Sequence, residues 1–216
     1  MPQRKTPLVN GEIYHVFNRS VAQQPIFRNK REYNIFTNLL EYYRFYYPPK
    51  RFSHYSRLNK EEKSKLLNEL YKENKCLIDI YAFTLMPNHY HLLLKQKGEK
   101  GIMNFIRLIQ NSYAHYLNLK TKRFGSLFQS PFKAVRIEKD EQFIHVARYI
   151  HLNPLTSYIL NGFDDLKSYE WCSYIDYLLK TPRRFINTTF LMKIFRNRQR
   201  LEKFTLDQLD YQRKLE

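Results

Sequence analysis

The period of apolar and polar positions changes several times along the chain, and each change marks an expected element. Glu12–Ser20, "EIYHVFNRS", is rich in β-branched and aromatic residues and reads as a strand. After Pro25, "NKREYNIFTNLLEYYRFYY" (Asn29–Tyr47) places Tyr33, Phe36, Leu39, Leu40 and Tyr43 at helical spacing, with Asn29 as N-cap and Pro48 and Pro49 as the stop. Residues 50–75 are strongly charged and hold one short amphipathic helix around Lys60–Tyr71, an excursion from the core. "CLIDIYAFTLM" (Cys76–Met86) and "HYHLLLKQ" (His89–Gln96) read as two strands joined by a tight Pro-Asn turn, hence a hairpin. Gly101–Arg123 is a helix with Ile102, Phe105, Ile106, Ile109 and Tyr113 on one stripe. Phe124–Pro131 is a loop, Phe132–Lys139 alternates as a strand, and Asp140–Pro154 is a helix that Pro154 is expected to end. From Leu155 to Glu216 the pattern is helical but irregular, and its last third is basic. No internal repeat or low-complexity tract interrupts this series.

Strand, helix, strand, strand, helix, strand is the βαββαβ order of the ferredoxin-like fold. The expectation is therefore an α+β chain, with a four-stranded antiparallel sheet carrying helices on one face. It occupies residues 1–155, followed by a helical, basic extension over 156–216. Unrelated activities share this fold, RNA-binding modules among them, so function must be read from side chains.

Composition narrows the classes. A chain of 216 residues and 26.5 kDa buries a sizeable core without covalent staples. Cys76 and Cys172 stand far apart with no CxxC spacing, which suggests neither a disulfide framework nor a cysteine zinc site and suits a reducing cytosol. The N-terminal "MPQRKTPLVNGEIY" has no apolar leader core, and no run reaches membrane-spanning length. The expected location is cytoplasmic, at bacterial-type nucleoid DNA, with no membrane partner. A net charge of +17 and a pI near 9.8 favour a polyanionic partner. Basic residues alternate with aromatic ones in "EYYRFYYPPKRFSHYSR" and "RRFINTTFLMKIFRNRQR". That mixture suits phosphate contact plus base stacking on single strands. A solvated basic surface over an aromatic core has the same composition.

Two short constellations carry candidate chemistry. In "LMPNHYHLLLK", His89 and His91 lie two apart in a strand and so project from one face, where both imidazoles can reach one divalent cation. Two nitrogens leave most coordination positions open, as catalytic sites require. An HxH alone also occurs by chance, as one satisfied polar residue and a neighbour. In "HVARYIHLNP", Tyr149 and Asn153 stand four apart on one helix face, with His145 a turn before Tyr149. A helix after the fourth strand can pack on the sheet and present a phenol and an amide oxygen to the histidines. A tyrosine with its ordinary pKa of about 10 needs a metal or base nearby to act as a nucleophile. The other reading makes Tyr149 a core aromatic and Asn153 a C-cap.

"MPNHYHLLL" followed by "RYIHLNP" resembles the single-tyrosine HUH transposase superfamily (IS200-like) and is most similar to the REP-associated tyrosine transposases. "YHVFNRS", "GSLFQSPFKA" and "YEWCSYIDYL" add to the resemblance, which spans about residues 11 to 180. It implies metal-dependent cutting and rejoining of single-stranded DNA. His89 and His91 match the residues that bind Mg²⁺ or Mn²⁺. Tyr149 matches the nucleophile that forms a 5′-phosphotyrosine link, and Asn153 matches a third metal ligand. It implies a DNA hairpin or palindrome beside the cut, and a protein that works as a monomer or a homodimer.

Other residues compete for these roles. Tyr113 and Tyr116 in "SYAHYLN" lie on a helix whose apolar stripe faces the sheet, so Tyr113 reads as core. His145 is a helix-face residue and His151 a neighbour of the DNA path, either one able to serve in proton transfer. Asn18, Arg19, Lys133, Arg136 and Arg148 are candidate phosphate contacts. The charged insert 50–75 and the basic stretch Arg183–Phe204 are candidates to grip a hairpin. Two other functions fit the same residues: a nucleic-acid-binding protein without catalysis, and a replication or mobilisation relaxase.

Overall fold

The computed structural model describes residues 7–207. Strands β1 (Ile13–Arg19), β2 (Ile78–Met86), β3 (His89–Gln96) and β4 (Lys133–Ile137) form an antiparallel sheet in the order β2-β3-β1-β4. Helix α1 (Lys30–Tyr43) follows β1, and α4 (Gly101–Thr121) follows β3; between α1 and β2 lie α2 (Phe52–Tyr55) and α3 (Lys60–Glu73). This is the ferredoxin-like topology expected from the pattern. After β4 come α5 (Asp140–Thr156), α6 (Phe163–Ser168), α7 (Tyr174–Leu178), α8 (Thr189–Phe195) and α9 (Arg198–Leu206). No helix among the described residues is long and apolar enough to cross a membrane.

Strand alternation divides the sheet into two unlike faces. Tyr14, Val16, Tyr90, Leu92 and Leu94 are fully buried beneath α1 and α4. There the Phe36 ring of α1 meets Tyr90 at 5.3 Å, and Gln110 of α4 donates to the Tyr90 hydroxyl. His15, Phe17, His89 and His91 point the opposite way, with Phe17 opposite His91 and Arg19 opposite His89 in register. Helix α5 covers that second face, so helices occupy both sides rather than one. Ala82, Met86 and Leu93 are buried on the second face and would be bare without it.

Two helix ends depart from the sequence pattern. Helix α1 stops at Tyr43, before the Pro pair, because the following backbone pairs with the lead-in to β2: Leu77 N–H donates to Arg44 O and Tyr46 N–H to Lys75 O. Helix α5 runs through Pro154 to Thr156, where Ser157 N–H closes it on Asn153 O at 3.0 Å. A proline so near the C-terminus removes one donor without breaking the preceding turns. The expected N-cap is present, with the Asn29 side chain accepting from Glu32 N–H.

The C-terminal segment seals the free edge of β2. Leu85 N–H donates to Trp171 O, Ser173 N–H to Phe83 O and Asn187 N–H to Ile80 O, each at 2.8–2.9 Å. Tyr177, Phe185, Ile186, Leu191 and Leu201 join the same core as the strands. Residues after 155 thus share the sheet's hydrophobic core and occupy an edge that would otherwise expose unpaired backbone.

Candidate functional site

The β2–β3 turn brings the first histidine to the end of the sheet. Ile26 and Phe27 N–H both donate to Pro87 O, and Ser20 N–H donates to Asn88 O, which pins the turn against the segment after β1. His89 and His91 then stand side by side, ring centroids 5.2 Å apart. Helix α5 places the Tyr149 ring edge-on to His91 at 5.6 Å, and Asn153 a turn further along lines the same cavity of about 490 Å³. The four residues singled out from two distant motifs therefore meet in one place.

Burial keeps the imidazoles neutral. The His89 pKa is pushed down to about 4 by burial and then by the charge of Arg19. His91 lies well below the ordinary histidine value, through burial first and then through His15, His89 and Arg19. Neutral rings keep a lone pair for a ligand. His89 Nδ1 lies 2.6 Å from Asn88 Oδ1, and Asn88 Nδ2 donates to Gln23 O, which fixes the amide with its oxygen toward the ring. Nδ1 of His89 therefore carries the proton, and its Nε2 is the open atom. Asn153 is 2 % exposed; its Nδ2 donates to Tyr149 O, leaving Oδ1 as its ligand-type atom.

The donor set fits a divalent metal. Two neutral imidazoles and an amide oxygen make a mixed N/O site with positions left for water and a phosphate oxygen. Among the described residues no group of three or more His, Cys, Asp or Glu gathers as a closed metal cage. An open, partly protein-supplied site is the arrangement that can admit a substrate oxygen.

The other candidates separate. Arg19 and Lys133 line the cavity. Asn18 lines it too, but its amide is committed: Nδ2 donates to Gln129 O, and Oδ1 accepts from Arg19 N–H, which ties β1 to the loop before β4. Arg136 is not in the cavity; it alternates to the other side of β4 and pairs with Glu12 at 2.9 Å. Arg148 is likewise absent from it. One residue before Tyr149 is about 100° around the helix, and there its guanidinium stacks 4.1 Å from the Phe204 ring and donates to Phe204 O. Arg148 anchors α9. His151, expected near the DNA path, is 1 % exposed beneath the C-terminal segment, its Nε2 2.9 Å from Ser173 Oγ. His145 contacts Arg148 on the helix surface. Tyr113 is wholly buried and donates to Ile26 O, as its stripe position predicted.

Insert and basic stretch meet each other: Arg184 lies 3.8 Å from the Tyr71 ring and donates to Asn68 Oδ1. Arg183 is held by Asp176. Those two cations are thus engaged within the fold. Sequence reasoning missed His15, Phe17 and Gln129 around the site. His15 and Phe17 sit in the quoted "YHVFNRS", but only the register of β1 on β3 shows that they face the histidine pair.

A family model described as IS200-like transposase matches residues 26–153, a span that includes His89, His91, Tyr149 and Asn153. No curated protein matches the sequence at a significant level. Five solved structures match the fold at a significant level. One is a REP-associated tyrosine transposase bound to a REP hairpin, 11 % identical, with a TM-score of 0.58 and coverage of 88 % of this chain and 94 % of that one. At that identity the likeness is one of fold.

Proposed function

Because the chain belongs to the IS200-like transposase family, we propose that it cuts and rejoins single-stranded DNA through a covalent 5′-phosphotyrosine on Tyr149. The observation that carries this is the meeting of Tyr149, Asn153, His89 and His91 in one cavity although two separate elements supply them. The phenolic oxygen of Tyr149 attacks the scissile phosphorus. The Tyr–O–P bond forms as the P–O3′ bond breaks; the phenol releases its proton to solvent, and the departing 3′-oxygen takes one up. Religation is the reverse attack by a 3′-hydroxyl, so no bond energy is lost to water.

His89 Nε2, His91 Nε2 and Asn153 Oδ1 would hold Mg²⁺ or Mn²⁺, which would polarise the phosphate and offset charge in the transition state. Arg19 and Lys133, on the cavity wall, orient the strand through its phosphates. Tyr149 is carried on a helix buried against the sheet, which limits its freedom and favours in-line approach. The hairpin bound by the structural neighbour supports a hairpin-bearing strand as substrate here as well. The net charge of +17 suits such a polyanion.

The test uses the full chain with Mn²⁺ and a hairpin-bearing single-stranded DNA, resolved on a denaturing gel. A covalent adduct is expected with the native protein and none with Tyr149→Phe. An adduct that survives in the variant removes Tyr149 from the role.

A further inference from the structure

His15 has no part in the chemistry assigned above, yet its Nε2 lies 2.9 Å from Nδ1 of His91. The two rings are stacked, 5.1 Å between centroids and 24° from parallel, and His15 also lies 4.9 Å from the Phe17 ring and edge-on to Tyr149 at 5.9 Å. We propose that His15 is a positioning residue that accepts a hydrogen bond from Nδ1–H of His91 and so keeps the Nε2 lone pair of His91 open toward the cavity. The proposal rests on the metal-binding role given to His89 and His91.

A neutral imidazole has one N–H and one lone pair. The contact therefore has two forms. Either His91 donates from Nδ1 and its Nε2 is a ligand, or His15 donates from Nε2 and His91 carries its proton on Nε2, where it blocks a metal. Two features select the first form. Arg19 lines the same cavity and stands opposite His89 in register; a cation attracts a lone pair and repels an N–H aimed at it. His89, the twin ligand, already has its proton on Nδ1 through Asn88. Both histidines then carry the proton on Nδ1 and keep the Nε2 lone pair, and both line the same cavity. The arrangement follows from strand register: Phe17 is the direct partner of His91, and His15 reaches it along the diagonal from its own partner, Leu93. His15 is not among the residues lining the cavity, and its Nε2 is engaged, so it supports a ligand and is not one.

The test titrates the full-length protein with Mn²⁺ alone, without DNA, by calorimetry or by the free-Mn²⁺ electron spin resonance signal. His15→Phe keeps a ring against Phe17 and His91 but has no acceptor. His15→Gln restores one. The Phe variant should bind Mn²⁺ about 10- to 100-fold more weakly, and the Gln variant should recover most of that loss. Long-range ¹H–¹⁵N spectra of the native, metal-free protein should show the His91 proton on Nδ1. Native-like Mn²⁺ affinity in a folded His15→Phe protein, or a His91 proton on Nε2, overturns the proposal. If the Phe variant does not fold, the native spectrum and the Gln variant still decide. If the native protein and His89→Ala both ignore Mn²⁺, the metal role fails instead, and the spectrum separately reports the direction of the His15–His91 bond.

Discussion

The two faces of strand β3 obey the same alternation and serve opposite ends. Tyr90, Leu92 and Leu94 are all fully buried against α1 and α4, and the one polar atom among these three side chains, the Tyr90 hydroxyl, is bonded by Gln110. His89 and His91, one residue out of phase, line a cavity. One side of the strand presents apolar groups and a hydroxyl that is already bonded; the other presents two imidazoles to a cavity. On the proposed reading, function and stability are separated by one residue of register, which a slip of the strand would exchange.

Substitutions that cross this divide should have unlike consequences. His91→Ala, on the proposed metal reading, should reduce adduct formation to background while the thermal transition stays near native; a variant that still forms adduct would shift the metal role elsewhere. Leu92→Ala, its neighbour on the packed face, should cost about 2–5 kcal/mol in denaturant unfolding, with adduct formation preserved where the variant is folded. If Leu92→Ala were neutral in stability, the packed face would not be the structural one.

A second contrast sets His151 against the cavity histidines, since it is buried with no cavity to serve. Burial pushes its pKa down to about 3. An unfolded histidine takes a proton near pH 6.5, so below that pH the unfolded chain binds a proton that the folded one refuses. Stability should therefore fall as pH falls from about 6.5 toward 3. Between pH 7 and 5 the native protein should lose roughly 2 kcal/mol more than His151→Gln, measured by urea unfolding at each pH. Equal losses would show that His151 is not the group that titrates.

The smallest effects should separate two cations of one strand. Lys133→Ala should weaken binding to single-stranded DNA a few-fold and lower the salt slope by about 1, whereas Arg136→Ala, whose partner is Glu12, should leave both nearly unchanged. Equal effects from the two would mean that the DNA path reaches beyond the cavity. Binding titrations across salt concentration measure both.

Much of this was legible beforehand because it depends on local chemistry. β-Branched and aromatic content marked β1, the Pro-Asn turn marked the β2–β3 hairpin, alternation marked β4, the 3.6 period placed α1 and α4, a start at Asp140 and the stop expected at Pro154 marked α5, and the spacing of His89 to His91 and of Tyr149 to Asn153 put each pair on one face. The failures have one cause: they concern what lies across from a residue. Arg148 looked like a phosphate contact because it adjoins Tyr149, but its direction around α5 leads to Phe204. His151 looked functional for the same reason and is core. The early end of α1 was set by residues 75–77, distant in sequence.

Sequence by itself determined which side chains share a face, since helix and strand periods follow from backbone geometry that every residue obeys. It also determined the net charge of +17, which favours an anionic partner and needs no fold. Only tertiary structure decided which faces meet. The packing of α5 on the histidine side of the sheet, the diagonal from His15 to His91, and the sealing of β2 by residues 171–187 all join segments far apart in the chain. Such contacts are chosen by which apolar surfaces are left to bury once the local elements exist, and no local pattern records that choice.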